Sequence, residues 1–313
     1  MIEVKGKSSI SATIVKDSIA TNGKRLTTFE LEYPRIIHSE FMTHRGISKC
    51  ASSSRAVPLG RAIQNILDNP AFPVHWGAAQ VGMQASHELT GDKLNVAREL
   101  WQKGIDQNIA LVKEFDDIGT HKQIASRWLE TGQMIKVVAS GTDWDNMMWL
   151  RNDDAAQPEF HELAKCMQEC FDKSIPDILN DGEWHLPYIA TYRNLETNLL
   201  HYIDSNDSEL SLKEAQKISA SCCAQISYRK LNDSKDKALE IFDKLFSGTK
   251  PHLSPTEHQG TPITFGNYIS AWDVSNWQDG ITHIRKDGTL CSGNLAGWVQ
   301  FRQTLDNNVY TKM

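Results

Sequence analysis

Residues 11–35, SATIVKDSIATNGKRLTTFELEYPR, decide the fold class. Apolar and polar residues alternate on both sides of Asn22-Gly23, a dipeptide that takes the positive φ angles of a tight turn. The pattern predicts a β-hairpin whose second strand runs on through Ile36 and Ile37 toward a helix start near His38 to Arg45. Farther along, helical periodicity predicts helices over 58–67, 83–115, 121–129, 144–150, 159–171, 211–221 and 235–245. In the longest of these, Leu94, Ala97, Leu100, Trp101, Ile105, Ile109 and Val112 recur at helical spacing. Residues 134–139 have β character, 224–228 read as short and extended, and Asp279-Gly280 and Asp287-Gly288 read as hairpin turns. With no internal repeat, low-complexity segment or linker, the chain reads as one α+β domain over 1–313, in which 271–313 form a C-terminal elaboration.

Composition narrows the function classes. The 313 residues are 40% hydrophobic, enough for a substantial core, and 23% charged, which argues against wholesale disorder. A formal net charge of -6 argues against direct nucleic-acid binding through the overall field. A local basic pocket for a phosphorylated substrate stays open. No run of about 18 apolar residues is present, so no membrane span is expected. The N-terminal MIEVKGKSSISATIV lacks the apolar stretch of a secretory signal. Cys166 and Cys170 share a helix face without a second ligand pair, and Cys222 and Cys223 are adjacent, so reduced structural thiols in a cytoplasm are expected.

The usual cofactor fingerprints are missing: no G-x-G-x-x-G after a strand, no P-loop, no H-E-x-x-H. Residues 44–55, HRGISKCASSSR, instead pack His44, Arg45, Lys49 and Arg55 with Ser48, Ser52, Ser53 and Ser54. Clustered hydroxyl and backbone donors beside a guanidinium can hold an anion without a glycine-rich loop. A solvated polar loop has the same composition, and both readings stay open. Arg127 and Arg151 border Trp128 and Trp149, where an arginine also snorkels. Ala155-Ala156-Gln157-Pro158-Glu159 fits a helix cap, with proline in the first turn and an acid near the positive end of the dipole. His252, Ser254, Glu257 and His258 gather around Pro255; polar packing is the reading there and no metal is expected.

Together these segments resemble the flavin-dependent thymidylate synthases. That family's signature is R-H-R-x-x-S-x-N-E-x-S-x-R-Y, and here Thr43-His44-Arg45 is followed by Ser48, Ser53 and Arg55 at the same spacing. Leu150-Arg151 followed by Ala156-Gln157-x-Glu159 is similar to the family's L-R…A-Q-x-E segment, and Arg127 stands where the family has an arginine. A further block, Ala224-Gln225-Ile226-Ser227-Tyr228 and His252-Leu253-Ser254-Pro255-Thr256-Glu257-His258, matches motifs that in the family precede R-H-R. Its place after them implies a circular permutation, tolerable where termini lie close on the surface. Long relatives of this type are familiar among phage-encoded proteins, which would put the chain in a host cytoplasm.

The resemblance implies a homotetramer with shared sites, FAD as cofactor, and NADPH and methylenetetrahydrofolate as co-substrates. The reaction implied is methylation of C5 of dUMP, a pyrimidine deoxynucleoside monophosphate. His44, Arg45, Ser48, Asn146, Ser227, His252, Ser254 and Glu257 would contact FAD. Ser53, Ser54, Arg55 and Arg127 would hold the nucleotide, largely through its phosphate. Glu40 would stand beside the substrate, and Arg151 would contact the pyrimidine and stabilise charge on its carbonyl oxygens. The chain departs from the signature at Thr43, Cys50, Ala51 and Ala56, which puts specificity for dUMP in doubt. Cys50 stands at the family's asparagine, and packing is favoured there over a nucleophilic role. Two alternatives remain: hydroxymethylation or other alkylation of dUMP or dCMP for modified phage DNA, and a flavin-free nucleotide-binding protein on the same fold.

Overall fold

The computed structural model describes residues 1–227, 234–246, 250–264, 271–306 and 308–309. Strands β1 (Ile2–Lys5), β2 (Ser11–Ala20), β3 (Arg25–Pro34), β4 (Ser48–Ala51), β5 (Met134–Gly141) and β6 (Asp177–Leu179) build the main sheet, in the order β1-β2-β3-β5-β4. All pairs on that path are antiparallel, while β6 lies parallel to the Ser18–Ala20 end of β2. The Asn22-Gly23 turn joins β2 and β3 as the sequence predicts, with Gly23 at φ 82°. The second strand stops at Pro34, which has no N–H for the ladder, and Arg35–Ile37 turn into a 3-10 helix.

Alternation divides the residues of this sheet between two faces. Phe29, Leu31, Tyr33, Ile135, Val137 and Ala139 point to one face and pack under helix α6 (Pro158–Lys173) through Phe160, Leu163, Cys166, Met167 and Cys170. Burying Phe160, Leu163 and Met167 contributes about 1.5–3 kcal/mol each. The Gln157 side chain caps α6 by accepting from the Phe160 N–H at 2.9 Å, and buried Glu159 accepts from the Val74 N–H at 2.9 Å. The other face carries Thr28, Glu30, Glu32, Lys136, Val138 and Ser140. A bulge between Ile14 and Lys16 shifts the register of β2 and sets Ser18 opposite Leu26.

The remaining helices are α1 (His38–Met42), α2 (Leu59–Asp68), α3 (Asp92–Asp117), α4 (Lys122–Ala125), α5 (Asp145–Arg151), α7 (Leu212–Ala224) and α8 (Lys235–Phe246). Helices α2, α3 and α4 form a satellite cluster through Leu59, Ile63, Ile66, Ile105, Ile109 and Val112. Helix α3 starts nine residues later than its periodicity predicts. Gly91, at φ 57° and ψ -137°, breaks the helix, and the preceding segment folds back on itself through Gly77 and Glu88. The predicted 121–129 helix keeps one α-turn and tightens to 3-10 over Ser126–Gly132. Residues 224–227 are helical rather than extended, because α7 runs to Ala224 and a 3-10 turn covers Gln225–Ser227; Tyr228 lies outside the described residues.

Three small sheets complete the fold: β7 (Ala190–Arg193), β8 (Leu200–Ile203) and β9 (Glu209–Leu210); β10 (Gly260–Pro262) with β14 (Trp298–Gln300); and β11 (His283–Ile284), β12 (Leu290–Ser292) and β13 (Leu295–Ala296). Asp287-Gly288 makes the predicted hairpin between β11 and β12. Asp279-Gly280 is a turn outside any strand pair. Residues 290–302 are woven into the main body. Gly297, at φ 75°, lets the chain press against the hairpin turn, where a Cβ would meet Lys24 Cγ at 2.6 Å. The Trp298 indole, fully buried, donates to the Lys24 carbonyl at 3.1 Å. All six cysteines are buried, and none forms a disulfide. Among the described residues no helix is long and apolar enough to cross a membrane.

Candidate functional site

Residues 44–56 form the edge strand β4 and the turns on either side of it. Two neighbouring cavities meet there. The larger, about 420 Å³, is lined by Ser52, Ser53 and Ser54 together with Arg35, Arg61 and Lys136. Its volume falls in the range of roughly 300–1,000 Å³ usual for small-molecule sites. The smaller, about 250 Å³, is lined by Lys49, Cys50, Ser53, His252 and Ser254. Ser53, Ala56 and Ile226 line both. Residues some 200 positions apart in the chain therefore share one wall.

A third cluster sits at the end of α5. The Arg151 Nε donates to His44 Nε2 at 3.0 Å, its Nη1 lies 3.6 Å from Glu40 Oε2, and its guanidinium covers the Phe160 ring at 4.6 Å. Because a guanidinium only donates, His44 Nε2 must offer a lone pair, and the imidazole proton belongs on Nδ1. Burial, with Arg151 and Lys49 nearby, lowers the His44 pKa to about 4, so the ring is neutral at neutral pH. Lys49 links this cluster to the smaller cavity, since its ammonium donates to the His44 carbonyl and, at 3.1 Å, to the Ile47 carbonyl.

The other sequence-predicted residues are dispersed. Ser48 is buried, and its hydroxyl donates to Asn294 Oδ1 at 3.0 Å and accepts from Gln300 Nε2 at 3.3 Å. Glu257 is paired with Arg302. Arg127 lies mostly exposed against Glu130 at 2.8 Å, outside both cavities. Arg45, Arg55 and Asn146 are exposed, and Ser53 Oγ accepts from the Arg55 N–H at 3.3 Å. The side chain of Ser227 lies outside the described residues. His252, Glu257 and His258 do not converge: His258 faces Ser140 at 2.9 Å, while Glu257 turns to Arg302. Burial raises the Cys50 thiol to about 12, which keeps it protonated and removes the thiolate a nucleophile would need.

Arg35, Arg61, Lys136 and Tyr188 are the residues that sequence reasoning missed. Lys136 stands opposite Glu32 in the β3–β5 register and lies 3.5 Å from Glu30 and 3.6 Å from Glu32. Glu30 is in turn held by the Tyr188 hydroxyl at 3.0 Å. Tyr188 has φ 66°, a region that costs a bulky residue roughly 1–3 kcal/mol and clusters at functional sites. Its ring packs with Cys50, Val138, Cys223 and Ile226, which fixes the hydroxyl under Glu30. Tyr188→Phe should cost about 1.5–3 kcal/mol, the usual worth of a hydrogen bond to a charged group. Urea unfolding checks this; a loss below about 0.5 kcal/mol would mean that the Glu30 carboxylate finds other donors without cost.

No family model matches the chain, and no curated protein matches it. Among solved structures, the chain is similar to a crystal structure of a UMP/dUMP methylase, PolB, from Streptomyces cacaoi, bound with 5-Br dUMP. The TM-score is 0.43 and the identity 18%, over 54% of this chain and 93% of that one.

Proposed function

We propose that the chain is a flavin-dependent C5-methyltransferase of a pyrimidine deoxynucleoside monophosphate, dUMP first, using FAD, methylenetetrahydrofolate and NADPH. The observation that carries this reading is the shared wall. The His252–Ser254 block and the Ser52–Ser54 block, the flavin side and the nucleotide side of the resemblance, line cavities that meet at Ser53. Three serine hydroxyls with Arg35, Arg61 and Lys136, in a lining that also holds Glu32 and Asp68, make a donor set that fits phosphate-bearing ligands. FAD, when bound, supplies the redox chemistry of the methyl transfer.

The chain's own residues have positioning and electrostatic work. C5 of a uracil ring attacks carbon only as negative charge gathers on the ring carbonyls. Arg151, which lines neither cavity, is held by His44 and Glu40 and would stabilise that charge in this reading. Neutral His44 directs the guanidinium without adding a repelling charge. Overall, the hydrogen on C5 leaves as a proton and the folate's methylene carbon takes its place. Both carbon–nitrogen bonds of that methylene break, the folate leaves as tetrahydrofolate with a proton on each nitrogen, and a hydride equivalent from NADPH completes the methyl. No cysteine takes part, in keeping with the protonated Cys50.

A second reading is C5 hydroxymethylation or other alkylation, with dCMP as the alternative base. The altered positions Thr43, Cys50 and Ala51 favour keeping it, since one changed polar partner redirects the choice between uracil and cytosine. Incubation of FAD-loaded protein with methylenetetrahydrofolate, NADPH and either dUMP or dCMP, followed by mass spectrometry, decides. The expected product is dUMP heavier by one CH2. A gain of CH2O, or a product only from dCMP, selects the second reading. No mass change on either nucleotide overturns both, and failure to take up flavin would leave nucleotide binding alone.

A further inference from the structure

The C-terminal elaboration has no part in the resemblance or in the reading above, yet it ties together two segments that the resemblance assigns to the flavin. Strand β4 contacts the Ser254–Glu257 turn, and Cys50 from the one and Ser254 and Pro255 from the other line the smaller cavity. Gln300, on β14, reaches both segments. Its Nε2 donates to Asn294 Oδ1 at 2.9 Å, to the Glu257 carbonyl at 3.0 Å and to Ser48 Oγ at 3.3 Å, two hydrogens being shared among three acceptors. Asn294 Oδ1 also accepts from the Ser48 hydroxyl at 3.0 Å. Two residues on, Arg302 pairs with the Glu257 carboxylate and donates to the Asn308 carbonyl at 3.1 Å. One short stretch thus grips the turn by its main chain and by its acid, and grips β4 by its serine.

The oxygen end of the Gln300 amide is seated as well. Gln303 Nε2 donates to it at 3.5 Å, and Gly293, at φ 58°, leaves it room that a Cβ would take. Ser48 and Gln300 are both buried, so these bonds form away from water, where a polar group is costly unless its partners are in place. A buried network of this kind fixes one placement of β4 against the turn, which apolar contact alone would leave free to slide.

We infer that Gln300 and Arg302 are positioning residues: with Asn294 they clamp β4 to the Ser254–Glu257 turn and so set the width of the smaller cavity. Neither lines a cavity, and they act through Ser48 and Glu257 rather than on a ligand. That the ligand is FAD rests on the function proposed above; the clamp itself does not.

The test uses the full chain in three variants, Gln300→Met, Arg302→Met and Arg302→Lys. Hydrogen exchange read by mass spectrometry reports the clamp without any ligand. In both methionine variants, peptides covering 48–51 and 253–257 should lose protection, while those of the β2–β3 hairpin keep it. Within 253–257 the reporter is the Thr256 N–H, which donates to the Leu253 carbonyl at 3.0 Å. Arg302→Lys, whose ammonium can still meet Glu257, should restore part of the protection. Arg302 is partly exposed, so its variants carry the test even if the buried Gln300→Met fails to fold. In FAD titrations Arg302→Met should weaken binding roughly tenfold or more, Arg302→Lys should recover part of it, and kcat at saturating FAD should fall by less than the affinity. Exchange in 48–51 and 253–257 that is unchanged in Arg302→Met overturns the clamp, and so does exchange raised evenly along the whole chain. Unchanged FAD affinity in a variant whose two segments have loosened overturns the positioning role and leaves the function standing. Wild-type protein that takes up no FAD overturns the function, and exchange alone then decides the clamp.

Discussion

Arg151→Met is expected to lower kcat/KM for the pyrimidine nucleotide by roughly 10²–10³, the usual effect of removing a donor aimed at developing negative charge. The guanidinium is fixed from three directions, by His44 Nε2, by Glu40 and by the Phe160 ring, so its loss is not compensated by a neighbour. In the proposed function Arg151 meets charge that exists only as the bond forms, so most of the effect should fall on kcat. Arg151→Lys should recover little. A lysine carries a point charge that cannot bond His44, approach Glu40 and stack on Phe160 at the same time. Steady-state kinetics of both variants provide the check, and an Arg151→Met enzyme within threefold of wild type would remove Arg151 from the reacting centre.

Acid is expected to destabilise the protein well before its carboxylates protonate. Beneath the sheet's second face, His185 Nε2 meets Thr28 at 2.8 Å, its Nδ1 meets Ser18 at 3.0 Å, Thr28 meets Ser140 at 2.6 Å, and Ser140 meets His258 Nδ1 at 2.9 Å. Both histidines are fully buried and neutral. Burial lowers His258 to about 3 and His185 well below its ordinary value. A depressed folded value means the stabilisation is complete above the unfolded pKa of about 6.5 and is lost as pH falls below it. His258 then costs about 1.4 kcal/mol per pH unit, on the order of 2–3 kcal/mol between pH 6.5 and 4.5, and His185 adds to it in the same direction. That is a sizeable part of the stability of a typical domain, roughly 5–15 kcal/mol. Glu214 and Glu240, lowered to about 2, lose their contributions only below the ordinary carboxylate range. The window from 6.5 to 5 therefore isolates the histidines, and His44, His38 and His161, all lowered by burial, contribute there as well. Urea unfolding across that window should show the slope, and His185→Gln with His258→Gln should reduce it. An unchanged slope in the double variant would place the acid sensitivity elsewhere.

What was legible in the sequence followed from local periodicity. The hairpin around Asn22-Gly23, the helix capped by Gln157 and the Asp287-Gly288 turn each depend on neighbours within a few positions. The segment before Asp92 misled because Gly91, whose backbone angles break the helix, is not marked in the apolar pattern that follows it. The site was legible only as separate motifs. The His44–Arg151 hydrogen bond spans 107 positions, and no spacing rule reports it. Arg35 and Lys136 reach the cavity because β3 and β5 pair in one register and α2 stands beside them, which is tertiary information. The positive φ of Tyr188 was illegible as well, since nothing marks a tyrosine for that conformation.

The interweaving of residues 290–302 with the motif strand sets a clock on the molecule. Ser48 waits for Gln300, 252 positions later, to complete its hydrogen bonds. At about 5–20 residues per second, roughly 13–50 s of synthesis separate the two. Through that interval the edge of β4 has no C-terminal cover. Termination between residues 180 and 299 would release a chain that holds every strand of the main sheet but whose Ser48 lacks its Gln300 donor.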